Sequence, residues 1–329
     1  MAHSTRLPSV DSITVGIDVG GTNIQTAAVR DERVVSSFRV ATPMTGARDL
    51  RRAIVGAVDE TLAAAGADRG SLDAVGLAMP GAVDREAGTV SSSPNLPGFE
   101  SPRPVAIGPA ISESLHGVSV TLENDVSAAV LGELRRGAGR PYRNFLGVWI
   151  GTGIGGGLVV EGELHRGRGA AGELGHTIVE PAGRMCSCGR RGHLEAYAGR
   201  GMMEARAREL VRKGRRTTLF KLQEKRGKPR VTSGVWLEAM AKGDRIANML
   251  IDEAIWALGI ALASAQNLLD LEAIVIGGGL GDRLGARILE RIAEDMRPQL
   301  FVPDRPPVLL GSELKDLSGA VGAAVLAGG

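Results

Sequence analysis

Two short apolar runs, each closed by a turn of glycine and threonine, constrain this chain more than any other feature. The first reads Val15-Gly16-Ile17-Asp18-Val19-Gly20-Gly21-Thr22-Asn23, the second Val148-Trp149-Ile150-Gly151-Thr152-Gly153-Ile154-Gly155-Gly156-Gly157. Leu122-Glu123-Asn124-Asp125-Val126 lies between them. A β-branched run that stops at glycines predicts a strand and then a tight turn. The backbone N–H groups and threonine hydroxyl of such a turn suit phosphate oxygens. Two such turns can hold a triphosphate from both sides, and an aspartate between them can activate a hydroxyl. The combination points to a kinase acting on a small alcohol.

The remaining pattern predicts strands at Thr26–Val29, Val34–Val40, Ala74–Met79 and Val118–Leu122, and helices at Arg48–Ala65 and Ser127–Arg136. A second block of strands opens with Phe145–Ile150 and Gly157–Val160. Helical spacing follows over Asp244–Leu269, with Asp244 as its cap, then a strand at Ala273–Ile276 that stops at Gly277-Gly278-Gly279. Leu284–Met296 reads as an amphipathic helix and Ser318–Ala327 as a closely packing final helix of small residues. Each half therefore begins strand, glycine turn, strand, and continues into helices. That weak duplication suggests two related α/β domains with a cleft between them. With 329 residues, 43% of them hydrophobic, the chain can bury a sizeable core. Its formal net charge of +2 supplies no field for nucleic acid. Met1–Val10 lacks a signal-peptide pattern. The apolar stretch Ala254–Leu269 is broken by Ser264, Gln266 and Asn267, as in a buried helix rather than a membrane span.

Gly151, Gly153 and Gly156 satisfy G-x-G-x-x-G, but a dinucleotide fingerprint needs a helix straight after the glycines. Leu158–Leu164 reads instead as strand and turn. The sequence contains no G-x-x-x-x-G-K-[ST], so a P-loop is excluded. Asp18 ends the first strand, where its carboxylate can hold Mg²⁺ through water or simply bond turn amides. Asp125 stands where a strand yields to a helix. It is either the helix cap or a general base that takes a hydroxyl proton during attack on a γ-phosphorus. His176, Cys186, Cys188 and His193 form a possible four-ligand zinc set, and two cysteines with no secretion signal suit a reducing compartment such as the cytoplasm. Arg212–Arg230 is rich in Arg and Lys and reads as a solvated insertion, with a polyanion patch as the sharper reading.

Taken in order, these residues resemble the ROK family (repressors, open reading frames and kinases) over nearly the whole chain. Asp18–Thr22 looks like its first phosphate motif and Glu123-Asn124-Asp125 like its catalytic motif. Gly76–Gly81 with Val83-Asp84, and Pro94–Phe99, look like its sugar-side loops. Gly151–Gly156 looks like the second phosphate motif, and Glu173–His176 with Cys186–Glu195 like its signature. The resemblance implies the actin-like ATPase (ribonuclease H-like) duplication. It implies a small first domain over 1–126, joined by a C-terminal helix at 315–329, and a larger domain over 127–314 that carries the zinc motif and dimerisation helices.

By the same resemblance Asp125 is the base. Asn95, Asn124, Asp125, Glu173, His176 and Glu195 bind sugar hydroxyls. Asp18, Gly20, Gly21, Thr22, Asn23, Gly151, Thr152, Gly153, Gly278 and Gly279 contact ATP and its Mg²⁺. His176, Cys186, Cys188 and His193 hold structural Zn²⁺, with His193 standing where the family usually has a third cysteine. The resemblance further implies a homodimer or higher homo-oligomer acting on a sugar, glucose before fructose, N-acetylglucosamine or N-acetylmannosamine. Related repressors carry a helix-turn-helix ahead of the kinase-like body, for which the residues before Ile13 leave no room. That, with both phosphate loops and Asp125 retained, favours the enzyme over a sugar-sensing regulator.

Overall fold

The computed structural model describes residues 12–93, 96–100 and 103–328. These fall into two compact units, one running to Arg140 and resuming at Asp316, the other Pro141–Lys315. The first unit is built on strands β1 (Ile13–Val19), β2 (Asn23–Arg30) and β3 (Arg33–Ala41), followed by helix α1 (Ala47–Ala64) and strand β4 (Leu72–Met79). A small hairpin, β5 (Ala82–Asp84) and β6 (Thr89–Ser92), precedes α2 (Ile107–Ser114), β7 (Ser119–Asn124) and α3 (Asp125–Arg136). The sheet order is β3-β2-β1-β4-β7. β1 runs antiparallel to β2 and parallel to β4, and β4 parallel to β7.

Both faces of β1 are covered, and its alternating residues show by what. Val15, Ile17 and Val19 are fully buried in a cluster with Leu50, Ile54, Val58 and Leu62, the inward stripe of α1. Gly16 and Asp18 face the C-terminal helix, Ser318–Gly328. That helix lies against the sheet backbone to backbone. A Cβ on Gly16 would sit 1.8 Å from the Ala320 carbonyl oxygen, and one on Gly76 1.8 Å from that of Ala323. On the other side, a Cβ on Gly322 would meet the Ala128 carbonyl oxygen of α3 at 1.7 Å. Buried Glu133 of α3 accepts from the Ser318 hydroxyl and from the Ala138 N–H, each at 2.8 Å. These contacts place α3 in the first unit, so the division falls at Arg140 and not at the boundary after residue 126 expected from the sequence. That expectation split the chain at the end of a strand, where no local signal shows what the next helix packs on.

The second unit repeats the arrangement. Strands β8 (Phe145–Ile150), β9 (Ile154–Val160) and β10 (Glu163–His165) lead to helices α4 (Glu195–Ala198), α5 (Arg200–Arg212), α6 (Leu219–Lys225), α7 (Ser233–Ala241) and α8 (Arg245–Leu269). β11 (Ala273–Gly277), α9 (Gly278–Met296) and β12 (Val308–Gly311) complete it. The order β10-β9-β8-β11-β12 matches the first sheet strand for strand, with two antiparallel and two parallel pairings. Asp244 caps α8 by accepting from the Ile246 and Ala247 N–H groups. α8 is long and apolar enough to cross a membrane by length and composition, yet 67% of its apolar window is buried inside the unit, as in a core helix. α9 begins at Gly278, earlier than the Leu284 start read from the sequence, and breaks at Gly285, whose φ of 71° is non-helical. The basic stretch after α5 is mostly exposed, with Leu219 and Leu222 of α6 as its buried anchors.

Candidate functional site

In the first unit the glycine turn joins β1 to β2. The Gly20 N–H donates to the Asn23 carbonyl at 2.9 Å, and the Thr42 hydroxyl ties the turn down by donating to the Gly20 carbonyl at 2.6 Å. Gly21, Thr22 and Asn23 are exposed. Asp18 precedes this turn at the carboxyl end of β1, the edge where ligands bind in open α/β sheets. It is half-buried, and a Cβ on Gly319 would lie 2.5 Å from its carboxylate. Burial pushes its carboxyl up to about 7, with the nearby charges of Asp125 and Asp316 adding to the rise and Arg39 opposing it. Arg39 donates to Asp316 at 2.9 Å and to Gln25 at 2.6 Å. A carboxyl raised by neighbouring carboxylates is a group that a divalent cation would relieve.

At the parallel position on β7, the sequence reading left Asp125 as cap or base. The cap is Asn124, whose Oδ1 accepts from the Val126 and Ser127 N–H groups at 3.0 and 3.1 Å. Its Nδ2 donates to the Gly81 carbonyl at 3.4 Å, so the amide expected on a sugar hydroxyl is committed largely to the fold. Asp125 becomes the first helical residue, with one carboxylate oxygen accepting from the Val126 N–H at 3.0 Å. Glu123 beside it is buried and pairs with Arg85 at 3.3 Å. Asn95 lies outside the described residues.

In the second unit the turn Gly151-Thr152-Gly153 joins β8 to β9, as the hairpin reading requires, closed by the Gly151 N–H donating to the Gly153 carbonyl at 2.9 Å. Glu195 lies across it. One carboxylate oxygen accepts from the Ile154 N–H at 3.0 Å, and the other from the Ser187 hydroxyl at 2.6 Å. A Cβ on Gly153 would strike that carboxylate at 2.3 Å. Glu195 thus joins the glycine turn to the cysteine loop, a duty the sequence did not reveal. Gly156 also has a packing role: a Cβ there would meet the Gly172 carbonyl at 2.3 Å, so its absence lets the Glu173–His176 loop close onto β9. Gly278 and Gly279 open α9, with Gly278 held at a φ of 84° against the end of β8.

His176, Cys186, Cys188 and His193 come together, their ligand atoms all within 4.8 Å of one another. His176 Nδ1 lies 3.4 Å from His193 Nδ1 and 4.0 Å from Cys186 Sγ, while Cys188 Sγ lies 3.3 Å from His193 Nδ1. Tetrahedral zinc with ordinary bond lengths sets ligand atoms roughly 3.3 to 3.8 Å apart. The 3.3 and 3.4 Å pairs already lie in that range, the wider pairs would draw in around the ion, and two thiols with two imidazoles are a donor set that zinc takes. His176 turns its Nε2 outward, 4.0 Å from Glu173. Burial pushes the Cys186 thiol up, and a bound metal would reverse that by taking the thiolate.

One charged residue at the second turn escaped the sequence reading. Arg200, first residue of α5, donates from Nη1 to the Ser233 hydroxyl at 2.9 Å and from Nη2 to the Thr152 hydroxyl at 3.3 Å. Burial lowers its pKa, and the nearby charge of Arg230 adds to that. The legible signal was a cation at a helix start, where the dipole disfavours it.

Comparison with known proteins gives the same assignment from an independent direction. The model of the ROK family matches residues 14–329. A glucokinase of Thermotoga maritima is 34% identical over 315 residues, covering 94% of this chain and 95% of its own. An N-acetylmannosamine kinase of Vibrio cholerae serotype O1 is 31% identical over 300 residues, 89% of this chain and 93% of its own. A ROK family glucokinase from Streptomyces griseus, solved in complex with glucose and AMPPNP, matches with a TM-score of 0.79 and 33% identity. It covers 96% of this chain and 99% of that one. The repeated sheet order is accordingly that of the actin-like ATPase fold.

Proposed function

Because the chain belongs to the ROK family, we propose that it is an ATP-dependent hexokinase that transfers the γ-phosphoryl group to the 6-hydroxyl of glucose. The observation that carries this is the division of labour at the end of β7. Asn124 caps α3, so Asp125 is present at the carboxyl edge of the sheet without serving as the cap. Asp125 is the general base: it takes the hydroxyl proton as the oxygen attacks phosphorus. Phosphoryl transfer otherwise asks for positioning and charge neutralisation, and each glycine turn offers backbone N–H groups for the phosphates.

Gly278 and Gly279, at the start of α9, suit the adenosine, where a side chain would crowd it. Asp18 is the residue that would hold Mg²⁺, which would neutralise charge on the nucleotide. Glu173, His176 and Glu195 serve the sugar hydroxyls, together with Asn95, while Asn124, its amide committed largely to the α3 cap and the Gly81 carbonyl, holds the start of that helix in place. A structural Zn²⁺ would be held by His176, Cys186, Cys188 and His193, fixing the Glu173–His176 loop. Thiolate ligands suit a cytoplasmic enzyme, and a homodimer is the expected assembly.

The second reading, an N-acetylmannosamine or other hexose kinase, draws on the Vibrio cholerae relative. Turnover of ATP against a panel of hexoses and N-acetylhexosamines separates the two. Glucose should dominate in the parent protein, and Asp125→Ala should abolish the signal. Preference for an N-acetylhexosamine would replace glucose as substrate, and no turnover of any sugar would remove the kinase reading.

A further inference from the structure

Among the described residues, the Arg200 guanidinium meets no carboxylate. Its guanidinium stands between the Gly151–Gly153 turn and the start of α9, bonded only to two hydroxyls, while a Cβ on Gly279 would lie 3.7 Å from Nη1. Among the described residues no carboxylate pairs with it, and it makes no further bond. Glu204, the one acid whose charge reaches it, is spent elsewhere: its oxygens accept from Arg208 at 2.7 Å and from the Val231 N–H at 3.0 Å. The other neighbouring charge is Arg230, exposed and of like sign. A half-buried guanidinium costs desolvation that an unpaired site does not repay. The helix dipole at the start of α5 adds positive potential, and two hydroxyls hold the side chain in place without neutralising it. An arginine with unused donors, pre-oriented beside a phosphate-type turn, is a fork for phosphate oxygens.

We propose that Arg200 is the cation of the second glycine turn and binds a phosphate group of the nucleotide, with Arg230 strengthening the field. The proposal rests on the kinase reading and names a residue that this reading lacked. Arg230 also gives one end of the basic stretch a task, while the rest of that stretch stays solvated surface.

The test is calorimetric titration of ATP, adenosine and inorganic tripolyphosphate into the parent, Arg200→Gln and Arg200→Lys, with steady-state kinetics alongside. Loss of one charge-assisted contact should weaken ATP and tripolyphosphate about 10- to 100-fold in Arg200→Gln. Adenosine binding and the KM for sugar should not change, and Arg200→Lys should recover part of the loss. Tripolyphosphate weakened as much as ATP marks the polyphosphate chain as the ligand. A loss confined to ATP, an equal loss for adenosine and ATP, or no loss at all overturns the assignment, the second meaning that Arg200 is only a strut to Ser233. A parent that phosphorylates sugar while Arg200→Gln binds ATP normally refutes this proposal alone. A parent that binds none of the three ligands refutes the kinase reading with it.

Discussion

Replacing Asp18 with asparagine should stabilise the metal-free protein at alkaline pH while abolishing its catalysis. Asp18 titrates at about 7 in the fold against 3.8 for a free aspartate. Burial and the charges of Asp125 and Asp316 make its ionised form unwelcome. Each pH unit between those values is worth about 1.4 kcal/mol, so the ionised carboxylate costs the fold up to ~4 kcal/mol, less whatever solvent screens at a half-buried site. The sign follows from linkage. Below pH 3.8 the group is neutral in both folded and unfolded chains and costs nothing. As pH rises from about 4 to 7, the unfolded chain ionises first and stability is lost. Above 7 the loss is complete. Asp18→Asn removes this dependence, so urea unfolding should show the variant level with the parent near pH 4 and more stable by a few kcal/mol at pH 8. Magnesium should raise the melting temperature of the parent at pH 8 and leave the variant unmoved. A variant equally or less stable than the parent at pH 8, or a difference that does not vary with pH, would refute the reasoning.

Other substitutions probe the packing and the site. Gly76→Val puts a side chain where even a Cβ meets the Ala323 carbonyl at 1.8 Å, so the C-terminal helix must move. The expected cost is about 3 kcal/mol or more, read by thermal unfolding. Asn124→Ala removes the cap of α3 and should lower stability by about 0.5 to 2 kcal/mol, whereas Asp125→Ala should leave the melting temperature near the parent value and eliminate turnover. For the metal cluster, purified protein should carry one zinc per chain by elemental analysis, and a strong chelator should lower its melting temperature. Cys188→Ser should lose the zinc, and His193→Cys should retain it with tighter binding.

Much of the fold was legible because its signals are local. Alternation and β-branching mark β1, β2, β3 and β8, and the helical stripe over Leu50, Ile54, Val58 and Leu62 marks α1. Asp244 precedes its helix as a cap should. The Cys186-Cys188-His193 spacing keeps three of the four zinc-type ligands within one loop, so chain connectivity alone nearly assembles them. Both glycine turns were readable for the same reason, since a turn is decided by the residues in it and the strands beside it.

What the sequence could not decide was everything set through space between distant segments. Gly16, Gly76, Gly132 and Gly322 look like ordinary small residues in strands and helices. Only the packed structure shows that each is needed because another backbone passes where its Cβ would be. Asn124 and Asp125 are equally good caps by type, and the path of the chain into α3 selected Asn124. The high pKa of Asp18 comes from burial and from charges as far along the chain as Asp316. Arg200 is marked as an anion site by the folded arrangement, in which Ser233 and Thr152 hold it and, among the described residues, no carboxylate meets it. Turns, strands and helices follow from short-range sterics and hydrogen bonding, which a sequence states directly. Close approach and electrostatic field depend on distances that exist only after folding.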